Sequence, residues 1–411
     1  VMVGSVRDRL DPAGEYSPEE SGQYLIGVED TRGRGGENCV YRIEVDEAQA
    51  GVLTYIVAPR NNEPRRGNRV QLFAGGRYSA LIALRDVFGS SMEGEFELVA
   101  EGLPKGVKMH APTFTSASAR LPVVFEAAPG AKPGAALTRL WVRQKGSKEL
   151  LAGGFRSTVP FNAAGGNNYL YYLFVEQLAV AVVDGVPFDL EVEGPKAALT
   201  QDGELAIKVR IERKHGFDAP VEINSEWLPP NCGRPSPITI ESGEERAEYR
   251  ISARRSTPPK DYRISLTATT RNGDRRTGDG MYFSSSDLIP LSVSEPYLSA
   301  KMPRVAVEVG KTAEMVVRLE HIKGFDGTAT ARLGRLPAGV EQVGGAVAIE
   351  PGQETLTFTV RATGAALTGT YRGVFCDLEF TESGEKVSQR SGYGTVRVDA
   401  RRGAKKVVST K

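Results

Sequence analysis

Oxygen-bearing side chains gather in a glycine-rich turn near the start of the chain, at Asp30, Glu37 and Asn38. Carboxylate and amide oxygens are the ligands of calcium, which takes about six to eight of them. Three donors in one turn make this segment the calcium candidate of the sequence. The later turns at Asp218 and Asp326 supply one carboxylate each, which is too few for a site.

Residues for bond-making chemistry do not fall into any known pattern. His110, His215 and His321 are far apart, and none has a second His or Cys at zinc-ligand spacing. There is no Gly-x-Ser-x-Gly elbow, no phosphate loop and no dinucleotide-binding glycine pattern. We therefore expect a protein that is not an enzyme and has no cofactor apart from the calcium considered above.

The three cysteines, Cys39, Cys232 and Cys376, lie in three different segments, so no module can form an internal disulfide. We expect free thiols that behave as small buried hydrophobic groups. The alternative is a disulfide between two chains through one exposed cysteine.

Aromatic residues are the remaining candidates for ligand contact. Trp141 lies in an apolar strand, and Tyr169, Tyr171 and Tyr172 follow an irregular Gly/Asn/Ala-rich insertion at 153–168. We predict a surface loop at the insertion, and long loops on rigid scaffolds often carry recognition. Core packing is the competing interpretation for the tryptophans, including Trp227, and for some of the tyrosines.

A spaced turn motif organises the chain. A turn leads into a strand and then a Leu-Pro pair, and it reads Gly-Phe-Asp in the second and third copies and Met92-Glu93-Gly94 in the first. The step from the turn to the leucine is nine residues in all three copies, from 327 to 336, 219 to 228 and 94 to 103. Glycines permit positive φ, the aspartate can accept backbone N–H bonds and the phenylalanine can close the end of a sandwich. The motif residues are Gly324, Phe325, Asp326, Gly327, Leu336, Pro337, Gly216, Phe217, Asp218, Leu228, Pro229, Leu103 and Pro104.

The repeat extends to a whole domain. A strand begins at nearly the same distance after each Leu-Pro leucine, at Leu137, Tyr262 and Tyr371, and each strand leads to a hairpin-like turn. Short alternating strands without helical periodicity predict an all-β protein of tandem immunoglobulin-like β-sandwiches in series. In 355–361, for example, Leu356, Phe358 and Val360 share one face.

The predicted organisation has five parts. Residues 1–45 are the last part of another β-sandwich, with strands at 23–28 and 40–45, and three immunoglobulin-like modules occupy 46–184, 185–294 and 295–400. Short connections restrict the orientation of neighbouring modules. A basic tail follows at 401–411, either solvated or attached to an acidic polymer or a neighbouring chain.

Composition excludes some partners. The 411 residues carry a formal net charge of +1, so there is no general field to concentrate nucleic acid or anionic lipid. The longest apolar run, 169–175, falls short of the roughly 20 residues of a membrane helix. No signal segment stands at the start, and we expect the natural N-terminus to lie upstream of Val1.

Residues 24–30, 33–38 and 41–43 resemble the closing part of a bacterial pre-peptidase C-terminal (PPC) type β-sandwich. In large secreted bacterial proteins this domain is often followed by tandem immunoglobulin-like modules with Gly-Phe-Asp-Gly and Leu-Pro-x-Gly-Val. The resemblance implies an extracellular, surface or periplasmic location and a non-catalytic role. The first module departs at 88–94, and the second has Pro230-Asn231-Cys232-Gly233 where Pro-x-Gly-Val is expected.

Three functions agree with these patterns. The first is a structural or adhesive array that spaces or presents other domains at the cell surface. The second is an ancillary region of a secreted protease or glycosidase that binds protein or cell-envelope polysaccharide. The third is a self-associating subunit of a filament or surface layer. The sequence leaves the ligand, the upstream region, the oligomeric state and any pairing of cysteines between chains open.

Overall fold

The computed structural model describes residues 16, 18–28, 33–45, 51–57, 69–86, 93–163, 169–185, 187–214, 216–270, 281–325, 327 and 329–401. Every regular element among them is a β-strand, which confirms the all-β prediction. No helix in the described part of the chain is long and apolar enough to cross a membrane.

The first module contains eleven strands, which form two larger sheets and a hairpin. The first sheet has the order β5-β6-β3-β1-β8, the second β2-β11-β7-β4, and β9 pairs with β10. The strands are β1 Gly51–Ile56, β2 Arg69–Phe73, β3 Arg77–Asp86, β4 Phe96–Glu101, β5 Val107–His110, β6 Arg120–Ala127, β7 Gly134–Gln144, β8 Ala152–Phe155, β9 Ser157–Ala163, β10 Tyr169–Val175 and β11 Leu178–Val183.

The second module divides its strands between two faces. One carries β16-β18-β14 with β12 beside β14, and the other carries β17-β15-β20-β21 and β13-β22-β19. The strands are β12 Phe188–Glu193, β13 Leu199–Thr200, β14 Gly203–Arg213, β15 Val221–Ser225, β16 Cys232–Gly233, β17 Ile238–Ile240, β18 Arg246–Ala253, β19 Asp261–Ile264, β20 Leu266–Thr270, β21 Phe283–Ser285 and β22 Ile289–Ser294.

The third module repeats the two-sheet plan with longer strands. One sheet has the order β31-β30-β26-β28 with β24 beside β31, and the other β23-β25-β29-β27. The strands are β23 Leu298–Lys301, β24 Arg304–Glu308, β25 Thr312–His321, β26 Ala329–Gly334, β27 Val340–Val343, β28 Val347–Ile349, β29 Thr355–Ala362, β30 Gly369–Glu382 and β31 Glu385–Asp399.

Strand alternation places the core where the sequence predicts it. In β29, Leu356, Phe358 and Val360 are buried, while Thr355 and Thr357 face solvent. Between β30 and β31, Ser383 and Gly384 form a two-residue turn with φ of 53° and 78°. Positive φ at both positions suits the right-handed twist of a hairpin, so this hairpin closes as predicted.

Three segments differ from the sequence predictions. The structure assigns no strand to 23–28 or 40–45, where Leu25 and Val40 are exposed. An isolated extended segment lacks both ladder partners and a covering layer, so alternation alone does not make it a strand. Conversely, the described part of the predicted loop at 153–168 is mostly strand, because β9 finds its partner in β10.

Candidate functional site

The Leu-Pro motif forms the same turn in all three modules. In each, the proline carbonyl accepts a hydrogen bond from the N–H three residues later, and the residue two positions after the proline has positive φ. The bonds are Val107 N to Pro104 O, 3.0 Å, Cys232 N to Pro229 O, 3.1 Å, and Val340 N to Pro337 O, 3.0 Å. The positive-φ residues are Gly106, Asn231 and Gly339, at 85°, 63° and 78°.

Asn231 corrects one sequence interpretation. The second module was expected to depart from the motif at 230–233, yet its backbone follows the same turn as its siblings. Asparagine is among the few residues other than glycine that tolerate the left-handed region. The motif is therefore Leu-Pro-x-Gly/Asn, and the second module is a regular copy of it.

The turn seals one end of each sandwich. The carbonyl of the positive-φ residue accepts a hydrogen bond from the first backbone N–H after a neighbouring strand. These bonds are Ala128 N to Gly106 O, 2.8 Å, Arg254 N to Asn231 O, 3.3 Å, and Thr363 N to Gly339 O, 2.8 Å. At Gly339 a Cβ would lie 2.6 Å from Cα of Ala366. The glycine there is required by the close backbone approach as well as by its φ.

The Gly-Phe-Asp turn also has structural partners. The Phe217 ring lies 5.3 Å from the Phe188 ring, and the Phe325 ring lies 5.2 Å from the Phe380 ring. Asp218 accepts hydrogen bonds from the Ser242 hydroxyl and from Gly243 N at 2.8 Å. These donors favour the ionised carboxylate and hold the pKa of Asp218 below its usual range. Asp326 lies outside the described residues.

The strand that follows each motif starts with a tyrosine in two modules. The Tyr262 hydroxyl donates to Pro258 O and the Tyr371 hydroxyl to Leu367 O, both at 3.0 Å and both four residues back. A tyrosine near the start of strand F that bonds to the backbone just upstream is a hallmark of the immunoglobulin fold. The second and third modules are immunoglobulin-like sandwiches. The first has Leu137 at this position, 61% exposed.

The structure describes the side chain of one of the four aromatic candidates, Trp141. Trp141 donates from Nε1 to Glu101 Oε2 at 3.0 Å, and its ring covers Gly154, where a Cβ would lie 2.9 Å from Cζ3. Tyr169, Tyr171 and Tyr172 belong to β10, and their side chains lie outside the described part of the structure. Trp141 is thus engaged in packing.

The metal candidate is not assembled in the described structure. Glu37 and Asn38 lie exposed in a turn closed by Cys39 N to Gly36 O at 2.9 Å, and Asp30 lies outside the described residues. Within the described ranges, no three His, Cys, Asp or Glu side chains come together as metal ligands. Calcium binding at Asp30, Glu37 and Asn38 stays a prediction.

The two described histidines have local partners. His110 Nε2 lies 3.1 Å from Glu126 Oε2, and His321 Nε2 lies 2.9 Å from Gln353 O, while His215 is outside the described residues.

The three cysteines form no disulfide within this chain. Cys39 is exposed, and burial raises the pKa of Cys232 to about 11 and of Cys376 to about 12. Thiols with raised pKa values are poor nucleophiles at neutral pH.

A shared sheet joins the second and third modules. The first residues of β14 pair antiparallel with β31, Gly203 opposite Gln389 and Glu204 opposite Ser388, so one sheet runs through both modules. A Cβ on Gly203 would lie 2.4 Å from Ser388 O. The buried side chains of the two modules form one continuous cluster.

The tip of the β30–β31 hairpin extends this junction. One carboxylate oxygen of Glu385 accepts hydrogen bonds from Lys196 N at 2.9 Å and Ala197 N at 3.0 Å. Arg390 N donates to Asp202 O at 2.8 Å. The long hairpin of the third module therefore binds the backbone of the second module at several points.

The first and second modules meet through aromatic packing. Phe283 of β21 packs against the core of the first module, and its ring lies 4.6 Å from the Tyr78 ring. The Phe73 and Tyr282 rings are 5.9 Å apart, and the hydroxyls of Ser79 and Ser265 are hydrogen-bonded to each other. Both module junctions are therefore packed interfaces.

A cleft of about 950 Å³ opens beside the first junction. One wall is the segment from Met109 to Pro122 of the first module, and the other includes Trp227 and residues 260–263 of the second. The Trp227 ring is half-buried and lies 6.2 Å from the buried Tyr262 ring. Clefts of this size at domain interfaces are common ligand sites.

No protein-family model matches the chain, and no curated protein matches its sequence. The resemblance to a PPC domain thus stays a prediction.

Several solved structures align with this chain. The I9–I11 tandem from titin aligns at 6% identity over 81% of this chain and 97% of that one, with a TM-score of 0.21. The D0–D1 domain of intimin aligns at 10% identity over 54% and 94%, with a TM-score of 0.21. Domains 4–9 of the surface layer protein SbsC align at 11% identity over 80% and 48%, with a TM-score of 0.22. Strand pairing and the tyrosine corners of the second and third modules define the fold.

Proposed function

We propose that this chain is a non-catalytic, stiff array of immunoglobulin-like modules that spaces or presents other domains at the cell surface or outside the cell. Its partners are proteins or cell-envelope polysaccharides. The repeat predicts several copies of one scaffold, and the packing of the motif residues accounts for their spacing without a reaction.

The observation that carries the proposal is the shared sheet between the second and third modules. A flexible array needs only a linker between domains, and domains joined in that way move relative to each other. Here Gly203 and Glu204 continue a ladder into β31, and Glu385 binds the backbone of the neighbouring module. These contacts fix an orientation, which is useful to a spacer and unnecessary for independent binding modules.

The aromatic junction supports the same role for the first and second modules. Phe283 places apolar surface from one module in the core of the other, so separating the modules would expose it to water. The location that goes with this role is the cell surface or the space outside the cell. We propose that location together with the function.

Small-angle X-ray scattering with light scattering over a concentration series tests the proposal on the full chain. We expect the mass of a single chain at every concentration and scattering that fits one fixed arrangement of the described modules. Scattering that requires an ensemble of module orientations would refute the stiff spacer. A mass that grows with concentration would instead support the self-assembling subunit.

A further inference from the structure

The strand β19 has a free edge at the cleft beside Trp227. It pairs with β22 on one side only, and β15, the strand that flanks its continuation β20, ends at Ser225. The chain then turns away through Glu226 and Trp227. One side of β19 is therefore left without a neighbouring strand among the described residues.

The ladder shows which backbone groups face this edge. Val293 N donates to Lys260 O at 3.0 Å, so Tyr262 and Ile264 are the residues of β19 that exchange hydrogen bonds with β22. The N–H and C=O groups of Asp261 and Arg263 consequently point the other way, toward the free edge. No described residue bonds to them. Two ladder positions are thus available to an incoming strand.

Side chains around the edge favour one sign of charge. Arg120, Lys260 and Arg263 line the cleft, are exposed and form no ion pair with a described carboxylate; Lys260 Nζ lies over the Tyr262 ring, 5.0 Å from its centre. Two carboxylates also line the cleft and keep their negative charge: Asp261 accepts the Ser292 hydroxyl at 2.6 Å, and Asp287 accepts Leu288 N at 2.7 Å. The three cationic side chains outnumber the two carboxylates, so the cleft has an excess of positive charge beside the half-buried Trp227 ring.

We propose that this cleft binds an extended, acidic peptide segment of a partner protein, which adds to the edge of β19 as a further strand. Backbone bonds to Asp261 and Arg263 set its register, as in other β-strand additions. Its carboxylates face Arg120, Lys260 and Arg263, and an apolar side chain packs against Trp227. A peptide is favoured over a glycan because the free donors and acceptors alternate along a strand. This proposal goes beyond the spacing function and does not depend on it.

Selection of random peptides displayed on phage against the full chain, followed by titration of the selected synthetic peptides, tests the proposal. We expect acidic sequences with alternating apolar residues, and hydrogen exchange that slows in 260–264 when they bind. Glycan-array binding that requires this cleft while no peptide is selected would overturn the proposal, as would selected peptides that protect other segments only.

Two variants at one position separate the backbone contact from the charge. Arg263→Pro removes an N–H that points to the free edge and leaves the ladder to β22 intact, as edge strands permit. We expect it to weaken peptide binding about tenfold, the equivalent of one hydrogen bond and one charge contact. Arg263→Ala keeps the N–H and should weaken binding by less.

Arg304→Ala, at an exposed arginine of the third module, is the matched control and should leave the affinity for the peptide unchanged. Equal affinity of Arg263→Pro and the control, with hydrogen exchange showing that β22 is still protected, would overturn the proposed strand addition.

Discussion

Removal of the Glu385 carboxylate tests the junction between the second and third modules. In Glu385→Ala, Lys196 N and Ala197 N lose an acceptor at 2.9 and 3.0 Å. Hydrogen bonds to charged groups contribute about 1.5–3 kcal/mol each, and at this partly exposed site we take about 1 kcal/mol for each, or about 2 kcal/mol in total. At about 1.4 kcal/mol per tenfold, the local opening equilibrium should rise about 30-fold.

Hydrogen exchange with mass spectrometry on the full chain measures this effect. Peptides covering 194–204 should exchange about 30-fold faster in the variant, while peptides from β29 in the third module should be unchanged. Lys386→Ala, at the next position, is the control, because its ion pair with Glu379 is exposed and worth little. If 194–204 exchanges equally fast in the two variants, the assignment of Glu385 to the junction is wrong.

Three further predictions concern the repeated turns. Tyr371→Phe should lower the free energy of unfolding by about 1 kcal/mol, because it removes the hydrogen bond from the Tyr371 hydroxyl to Leu367 O. Tyr393→Phe, at an exposed tyrosine, is the control and should cause no loss. Denaturant titration measures both. Gly339→Ala should lower the free energy of unfolding by at least about 2 kcal/mol more than Gly352→Ala. Both glycines have φ near 80°, but only at Gly339 would the added Cβ meet the backbone of a neighbouring loop. Equal losses in the two variants would contradict this. The pKa of Asp218 is lower in the folded protein than the unfolded value of about 3.9, so its stabilisation is complete above that pH and is lost as the pH falls through the folded pKa. Asp218→Asn should therefore lower the unfolding temperature at pH 7, and its difference from the wild type should shrink as the pH falls through the folded pKa of Asp218. A difference that stays constant from neutral to acidic pH would contradict the assignment.

Local patterns made the module repeat predictable. The nine-residue step to the Leu-Pro leucine reflects a turn that each module builds from its own residues, so it is visible in the sequence. Tyr262 and Tyr371 stood out by their distance from that leucine, and the structure gives them the same hydrogen bond. Only the substitution of Asn231 for glycine concealed the regularity of the second copy.

The junctions were not predictable in the same way. Gly203 and Gln389 carry no local signal, because their pairing joins strands nearly two hundred residues apart and depends on how two folded modules approach each other. The free edge of β19 was missed for a related reason. Whether a strand has a neighbour is a property of the whole sheet, and Trp227 gave the one sequence signal near the cleft.

The central claim is that the second and third modules are held in one orientation, and a distance between them tests it most directly. Nitroxide labels at the exposed positions Lys208 and Thr357, after replacement of the three native cysteines, allow electron double resonance to record the distribution of distances in the full chain. The account predicts a single narrow distance that broadens in Glu385→Ala. A broad distribution in the wild type, unchanged by that substitution, would contradict it.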